Sequence, residues 1–206
     1  MTMEPPNFCC EFIPRQFARP MSINRRTFVG AAAGILPLMM FGQSQPQPKH
    51  SGRGFVVPAG KGRSNETLRL FDRSWIDFKV TTADTDGNFF MIEQRELRRF
   101  GPPRHVHPEQ DEWFRPLTGT YRIEVGDEKF LVGPGDLVFA PRGVPHAWIH
   151  VEDEPGGMMV AFQPAGKMEA FFHEFTKFAA MPSTNELRGL FHAHGMEIVG
   201  PPLPVE

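Results

Sequence analysis

From Gly54 to about Pro164, short runs of alternating apolar and polar residues recur, punctuated by glycine, proline and asparagine. In Trp75–Thr81, Ile76, Phe78 and Val80 share one parity. A strand repeats every two residues, so these three face one side. Gly87–Leu97 is the next run, entered through a turn at Asp84–Asn88. Tyr121, Ile123 and Val125 alternate in the same way. Gly126-Asp127 then separates that run from Glu128–Val132, the two-residue spacing of a hairpin. Gly133-Pro134-Gly135-Asp136 is a second tight turn, and Leu137–Ala140, His146–Val151 and Met158–Gln163 complete the series. Many short strands joined by frequent turns predict a β-sandwich or small barrel. Gly54–Val57 also reads as a strand, with no hairpin partner nearby.

After Pro164 the period changes. Met168, Phe171, Phe172, Phe175, Phe178 and Ala179 recur at helical spacing within Lys167–Ala180, an amphipathic helix. Its phenylalanine stripe either packs against the barrel or forms a ligand wall. Ser183-Thr184-Asn185-Glu186 is a capping-box pattern and opens a second helix that ends before Gly195. His173, His192 and His194 are expected on or near helix surfaces. His192 and His194 are two residues apart and do not converge on one metal from a helix.

Ahead of the alternating region the pattern is different again. Residues 22–30 carry Arg25-Arg26 followed by Thr27-Phe28, then the apolar run Thr27–Phe41 and the polar stretch Gln43–Pro48. Basic, apolar and small-polar segments in that order are the layout of an export signal, and the arginine pair resembles a twin-arginine (Tat) signal. The apolar run falls short of the about 20 residues a membrane helix needs. Gly42 and Ser44 suit cleavage after Ser44. The expected organisation is therefore an N-terminal extension and signal over 1–44, a linker over 45–53, a β domain over 54–164 and a helical extension over 165–206. Translation starts at Met1 or Met21. The mature protein is expected outside the cytoplasm, periplasmic or extracellular, with no stable membrane span.

Composition narrows the function. The two cysteines, Cys9 and Cys10, both precede the β domain, so a disulfide scaffold, a cysteine-ligated zinc site or a catalytic thiol has no residue there to use. Net charge is −2 with no block of Lys and Arg, which sets nucleic acid aside as a partner. The chain has 20 glycines and 21 prolines, a density that disfavours long helices. Twenty Phe against 3 Trp and 1 Tyr point to an apolar interior and a small-molecule pocket.

Chemistry concentrates in two segments. One runs His105-Val106-His107-Pro108-Glu109-Gln110-Asp111-Glu112, and the other runs from Gly135 through Pro141-Arg142-Gly143-Val144-Pro145 to His146. On a strand His105 and His107 face the same way, a short turn lets the next strand return Glu112, and His146 from a later strand closes the set. Three imidazoles and one carboxylate suit a divalent transition metal: Fe, Mn, Ni, Co, Cu or Zn. On a six-coordinate ion they would leave two positions open, an arrangement that serves catalysis. Strand parity puts Trp148 and His150 on the face of His146 and Phe114 on that of Glu112. These three are candidate pocket groups, or core packing in the case of Phe114 and Trp148; His150 is either a titratable group near the metal or an exposed strand end. Glu109 and Asp111 read as solvated turn acids.

The two segments resemble the motifs of the cupin superfamily. The first family motif is G-x5-H-x-H-x3/4-E-x6-G, matched here by His105, His107, Glu112 and Gly119. The second is G-x5-P-x-G-x2-H-x3-N, matched by Gly135, Pro141, Gly143 and His146. Two positions depart: Arg99 stands where the leading Gly is expected, with Gly101 nearby, and His150 replaces the final Asn. The resemblance implies a double-stranded β-helix, or jelly-roll barrel, all-β with a C-terminal two-helix extension. It implies that His105, His107, Glu112 and His146 hold the metal. The overall pattern is most similar to small cupins related to quercetin dioxygenases. That implies an O₂-dependent oxidoreductase acting on a small hydroxylated compound, an aromatic one among the candidates, with Glu112 as the general base. The alternatives are a non-oxidative metal cupin, an isomerase or decarboxylase, and a ligand-binding cupin without turnover. Cupins often dimerise through sheet edges, so a homodimer is expected, with residues near 54–57 pairing across its interface.

Overall fold

A computed structural model describes residues 53–71 and 73–205. The cysteines, the arginine pair, the apolar run and most of the linker lie outside these residues. In chain order the strands are β1 (Leu68–Leu70), β2 (Ser74–Val80), β3 (Phe90–Leu97), β4 (Pro103–Val106), β5 (Asp111–Thr118) and β6 (Tyr121–Val125). Then come β7 (Glu128–Val132), β8 (Val138–Ala140), β9 (His146–His150) and β10 (Gly156–Gln163), followed by α1 (Met168–Phe175), α2 (Thr184–Ala193) and β11 (Glu197–Pro202). Two antiparallel sheets result: six strands in the order β1-β2-β3-β10-β5-β8, and five in the order β11-β4-β9-β6-β7. Alternation decides what lies between them. Phe90 and Ile92 of β3, Phe114 of β5 and Met158 and Phe162 of β10 are buried from the first sheet, Ile123 and Trp148 from the second.

Three expectations are corrected. Gly54–Val57 is not a strand, and its proposed pairing across a dimer loses its basis. Phe55 instead packs under the Arg63 guanidinium, 4.0 Å from the ring centre. Pro58 lacks an N–H for a ladder, and a turn that closes from Lys61 N to Pro58 O leads the chain away. The run Gly87–Leu97 enters the sheet only at Phe90, because Thr85 Oγ1 accepts from Phe89 N at 2.9 Å and donates to Phe89 O at 2.6 Å. That local loop competes with the ladder. The C-terminal extension also contains a strand, β11, which pairs Ile198 with His105 at the sheet edge, where prolines are tolerated.

The helices cover one opening of the sandwich. Helix α1 is shorter than expected, because its last turn tightens into i→i+3 bonds from Lys177 N to Glu174 O and Phe178 N to Phe175 O. Helix α2 starts where its capping box predicts: Ser183 Oγ accepts from Glu186 N, and the Glu186 carboxylate accepts from Ser183 N at 2.8 Å. The phenylalanine stripe packs inward, with Phe172 6.2 Å from both Phe90 and Phe162 and Phe171 edge-on to Phe191 at 5.1 Å. Among the described residues no helix is long and apolar enough to cross a membrane.

Candidate metal centre

Register places the donors. His105 on β4 is the direct cross-strand partner of His146 on β9, so the two imidazoles leave adjacent strands side by side, ring centres 4.6 Å apart. His107 follows at the end of β4 with its ring parallel to that of His146, centres 5.5 Å apart. Glu112 arrives from the opposite sheet, on β5, paired with Ala140 and Phe162. All four are buried, and their ligand atoms lie within 4.8 Å of one another. His146 Nε2 is 2.8 Å from Glu112 Oε2. His107 Nε2 lies 3.3 Å from the same oxygen but outside hydrogen-bond geometry, a buried nitrogen with no hydrogen-bond partner among the described residues.

The outer nitrogens explain the orientation of the rings. His105 Nδ1 is 2.9 Å from Pro103 O, and His146 Nδ1 is 3.0 Å from Val144 O. A carbonyl oxygen only accepts, so both Nδ1 atoms carry the proton. His107 Nδ1 lies 3.1 Å from Gln110 Oε1. Gln110 cannot turn its amide around, because its Nε2 donates to Pro164 O at 2.9 Å and Ala165 O at 2.8 Å. Its oxygen therefore faces His107 and fixes Nδ1–H there too. Gly166 makes room for this: a Cβ at that position would sit 2.5 Å from Gln110 Nε2. With Nδ1–H turned outward in all three rings, the Nε2 atoms face one carboxylate; His146 Nε2 donates to Glu112 Oε2 and gives up that proton on ligation, so the cluster offers the donor set of a divalent transition metal. The orphaned His107 nitrogen fits such an ion.

Electrostatics agree. Burial, with His146 and His107 adding to it, pushes His105 down to about 3. Burial also opposes a charge on His107, but the Glu112 carboxylate outweighs it and leaves that imidazole raised. Glu112 would be pushed up by burial, yet the contacts from His107 and His146 hold it well below the ordinary carboxylate range. It is an anion suited to ligation.

The cluster forms part of the wall of a cavity of about 130 Å³, covered by Phe171, Phe172 and Phe175 of α1 and Phe191 of α2. That is on the scale of cavities that accept a benzene-sized molecule, roughly 150 Å³. Trp148 lines it. Phe114 does not; it packs edge-on behind the His146 ring at 5.8 Å. His150 is fully buried, so it is not an exposed strand end, and it does not line the cavity. Its ring sits 5.1 Å from Tyr121.

Residues 98–173 match the Cupin domain family. The two antiparallel sheets with helices at the C-terminal end are a cupin jelly roll. Solved structures similar to the chain include TT1209 from Thermus thermophilus, 28% identical, covering 38% of this chain and 74% of its own, with a TM-score of 0.36. KdgF from Halomonas sp. is 17% identical, covering 54% of this chain and 94% of its own, TM-score 0.45. The oxalate decarboxylase OxdC of Bacillus subtilis is 25% identical, covering 55% of this chain and 31% of its own, TM-score 0.43. No curated protein matches the chain.

The departures from the cupin motifs now have physical readings. Arg99, at the expected glycine, has a positive φ of 40°, the conformation that glycine adopts without cost. Gly101 is required for a different reason: a Cβ there would lie 1.8 Å from Trp148 O. Asp111 is not a free turn acid. Its carboxylate accepts from Arg142 Nη2 at 2.8 Å, Arg142 Nε at 3.1 Å and Arg142 N at 2.9 Å, tying the loop before His146 to the start of β5. His194 is buried rather than on a helix surface, its Nδ1 donating to Leu190 O at 2.8 Å. His173 packs on Phe78 at 5.1 Å, and His192 is exposed. Gln110 is the site residue that motif reading missed; its place three residues after His107 is the one local signal for it.

Proposed function

We propose that the chain is a metal-dependent cupin oxidoreductase that uses O₂ to oxidise or cleave a small hydroxylated aromatic compound. The observation that carries this reading is the convergence of His105, His107, Glu112 and His146, the first three of them in the wall of an otherwise largely apolar cavity. A redox-active divalent ion in this donor set would lower the pKa of a substrate hydroxyl and couple the substrate to O₂. The protein's own part begins with the walls: Trp148, Phe171, Phe172 and Phe175 exclude water and hold a ring by burial and edge contacts. The Nδ1–H bonds to Pro103 O, Gln110 Oε1 and Val144 O keep the three Nε2 atoms pointed inward. Glu112 meets His146 and His107 through Oε2, leaving Oε1 as the oxygen that takes the hydroxyl proton.

Metal analysis of protein purified from its own host, followed by O₂ uptake with small phenols, tests the reading. A redox-active ion and O₂ consumption are expected. Turnover without O₂ uptake would instead identify an isomerase or decarboxylase, and tight binding without product a ligand-binding protein. The arginine pair and short apolar run support export by the twin-arginine route. Replacing Arg25 and Arg26 by lysine should leave the protein in the cytoplasm, and normal export of that double variant would refute the route.

A further inference from the structure

We propose that Gln94 is the second polar anchor of the cavity and selects ligands that carry a hydroxyl group remote from the metal-binding end. The proposal deepens the functional reading above and rests on it. Strand β3 alternates, with Phe90, Ile92 and Gln94 buried while Met91, Glu93 and Arg95 are partly exposed. Gln94 therefore occupies a core position. Its cross-strand partners are Ile76 on β2 and Met158 on β10, both buried and apolar. A leucine or methionine would suit this row.

The chain instead places a carboxamide there, 5% exposed, whose buried Oε1 has no hydrogen-bond partner among the described residues. Gln110, buried to the same extent, shows the contrast: its amide is satisfied at both ends. A buried acceptor left unpaired destabilises the fold. The cost is recovered if a ligand supplies the donor. Gln94 lines the same cavity as His105, His107 and Glu112, whose other lining side chains are predominantly apolar.

Register sets the separation. Gln94 pairs with Met158 and Glu112 with Phe162, on opposite sides of β10. Two strand spacings and a four-residue offset separate their backbones by roughly 16 Å. Both side chains project from one face of this sheet into the cavity, and a metal–ligand bond, one ring substituted at both ends and a hydrogen bond together span a distance of that order. The ligand class is thus a monocyclic aromatic with a metal-binding oxygen at one end and a hydroxyl at the other, its O–H donating to Gln94 Oε1.

Binding of benzoate and of 3- and 4-hydroxybenzoate to the metal-loaded protein, measured by calorimetry, tests this. At least one hydroxy acid should bind about tenfold tighter than benzoate. In Gln94→Met, or in Gln94→Leu as a second variant, that ratio should fall to about one. The melting temperature without ligand should rise in at least one of them, since the unpaired acceptor is gone. Benzoate binding without any hydroxyl preference in the parent protein overturns the role of Gln94 alone, as does a preference that survives both substitutions or a loss of stability in both. Failure of all three acids to bind the metal-loaded protein overturns the functional reading and this proposal with it.

Discussion

At the scale of residues, the centre depends on which nitrogen of each imidazole holds a proton. Two of the three assignments come from backbone carbonyls and cannot be altered by a side-chain change. The third comes from Gln110, so Gln110→Leu should free the His107 ring to turn and lower metal affinity by about 10–100-fold. Competition with a chelating dye measures this, and an unchanged affinity would remove Gln110 from the account. Protons compete with the metal for the same nitrogens. His107 is the imidazole whose proton affinity is raised, by Glu112 against the effect of burial, so it captures a proton first as pH falls. Metal content after dialysis should therefore be highest at alkaline pH, begin to decline above the ordinary imidazole value of about 6.5, and fall further below it. Replacing His107 or His146 by alanine should abolish loading at every pH, while alanine at His173 or His192 should leave it intact. Metal retained in full by His107→Ala would contradict the four-donor site.

At the scale of elements, what the sequence disclosed and what it hid divide by the range of the interaction. His105 and His107 share a face through the two-residue period, Glu112 returns through a short turn, and the capping box of α2 is contained in four residues. These are local, and motif spacing reads them. Gln110 acts through carbonyls of Pro164 and Ala165, more than fifty positions along the chain, and nothing local announces it. Gln94 looks like any polar residue of an alternating strand until β2 and β10 are placed on either side. Strand β11 carries Gly200, Pro201 and Pro202, which read as breakers, yet an edge strand tolerates them. His194 became buried because the end of α2 folds against α1, its ring 5.7 Å from Phe171. Because α2 contributes Phe191 to the cavity cover, its cap matters beyond the helix. Ser183→Ala should cost about 1 kcal/mol, and a melting temperature lower by roughly 2–4 °C is expected. A change within error would show that tertiary contacts alone hold the start of α2.

At the scale of the whole molecule, each sheet ends in strands that pair on one side only among the described residues, β1 and β8 in one and β11 and β7 in the other. Leu131 on β7 and Phe139 on β8 are 72% and 49% exposed. Open edges and apolar side chains of this kind favour association of like chains. Light scattering at micromolar concentration is expected to report a homodimer, and a monomer would end that expectation. The metal raises a separate question, namely whether the fold needs it. The buried phenylalanines of the six-stranded sheet and of both helices join Tyr121, Ile123 and Trp148 of the other sheet in one continuous core, so the jelly roll should survive chelation, unlike a small zinc domain. It should nonetheless be less stable, since a ligand bound only by the native state adds stability by mass action, about 2.7 kcal/mol at a hundredfold excess over Kd. For a chain of this length that corresponds to roughly 5–10 °C in melting temperature. Chelated protein should therefore keep its β-sheet circular dichroism spectrum, melt cooperatively at the lower temperature, and regain the higher one when metal is restored. Loss of the spectrum on chelation would mean that the three imidazoles and the carboxylate, without their ion, are too costly for the core to contain.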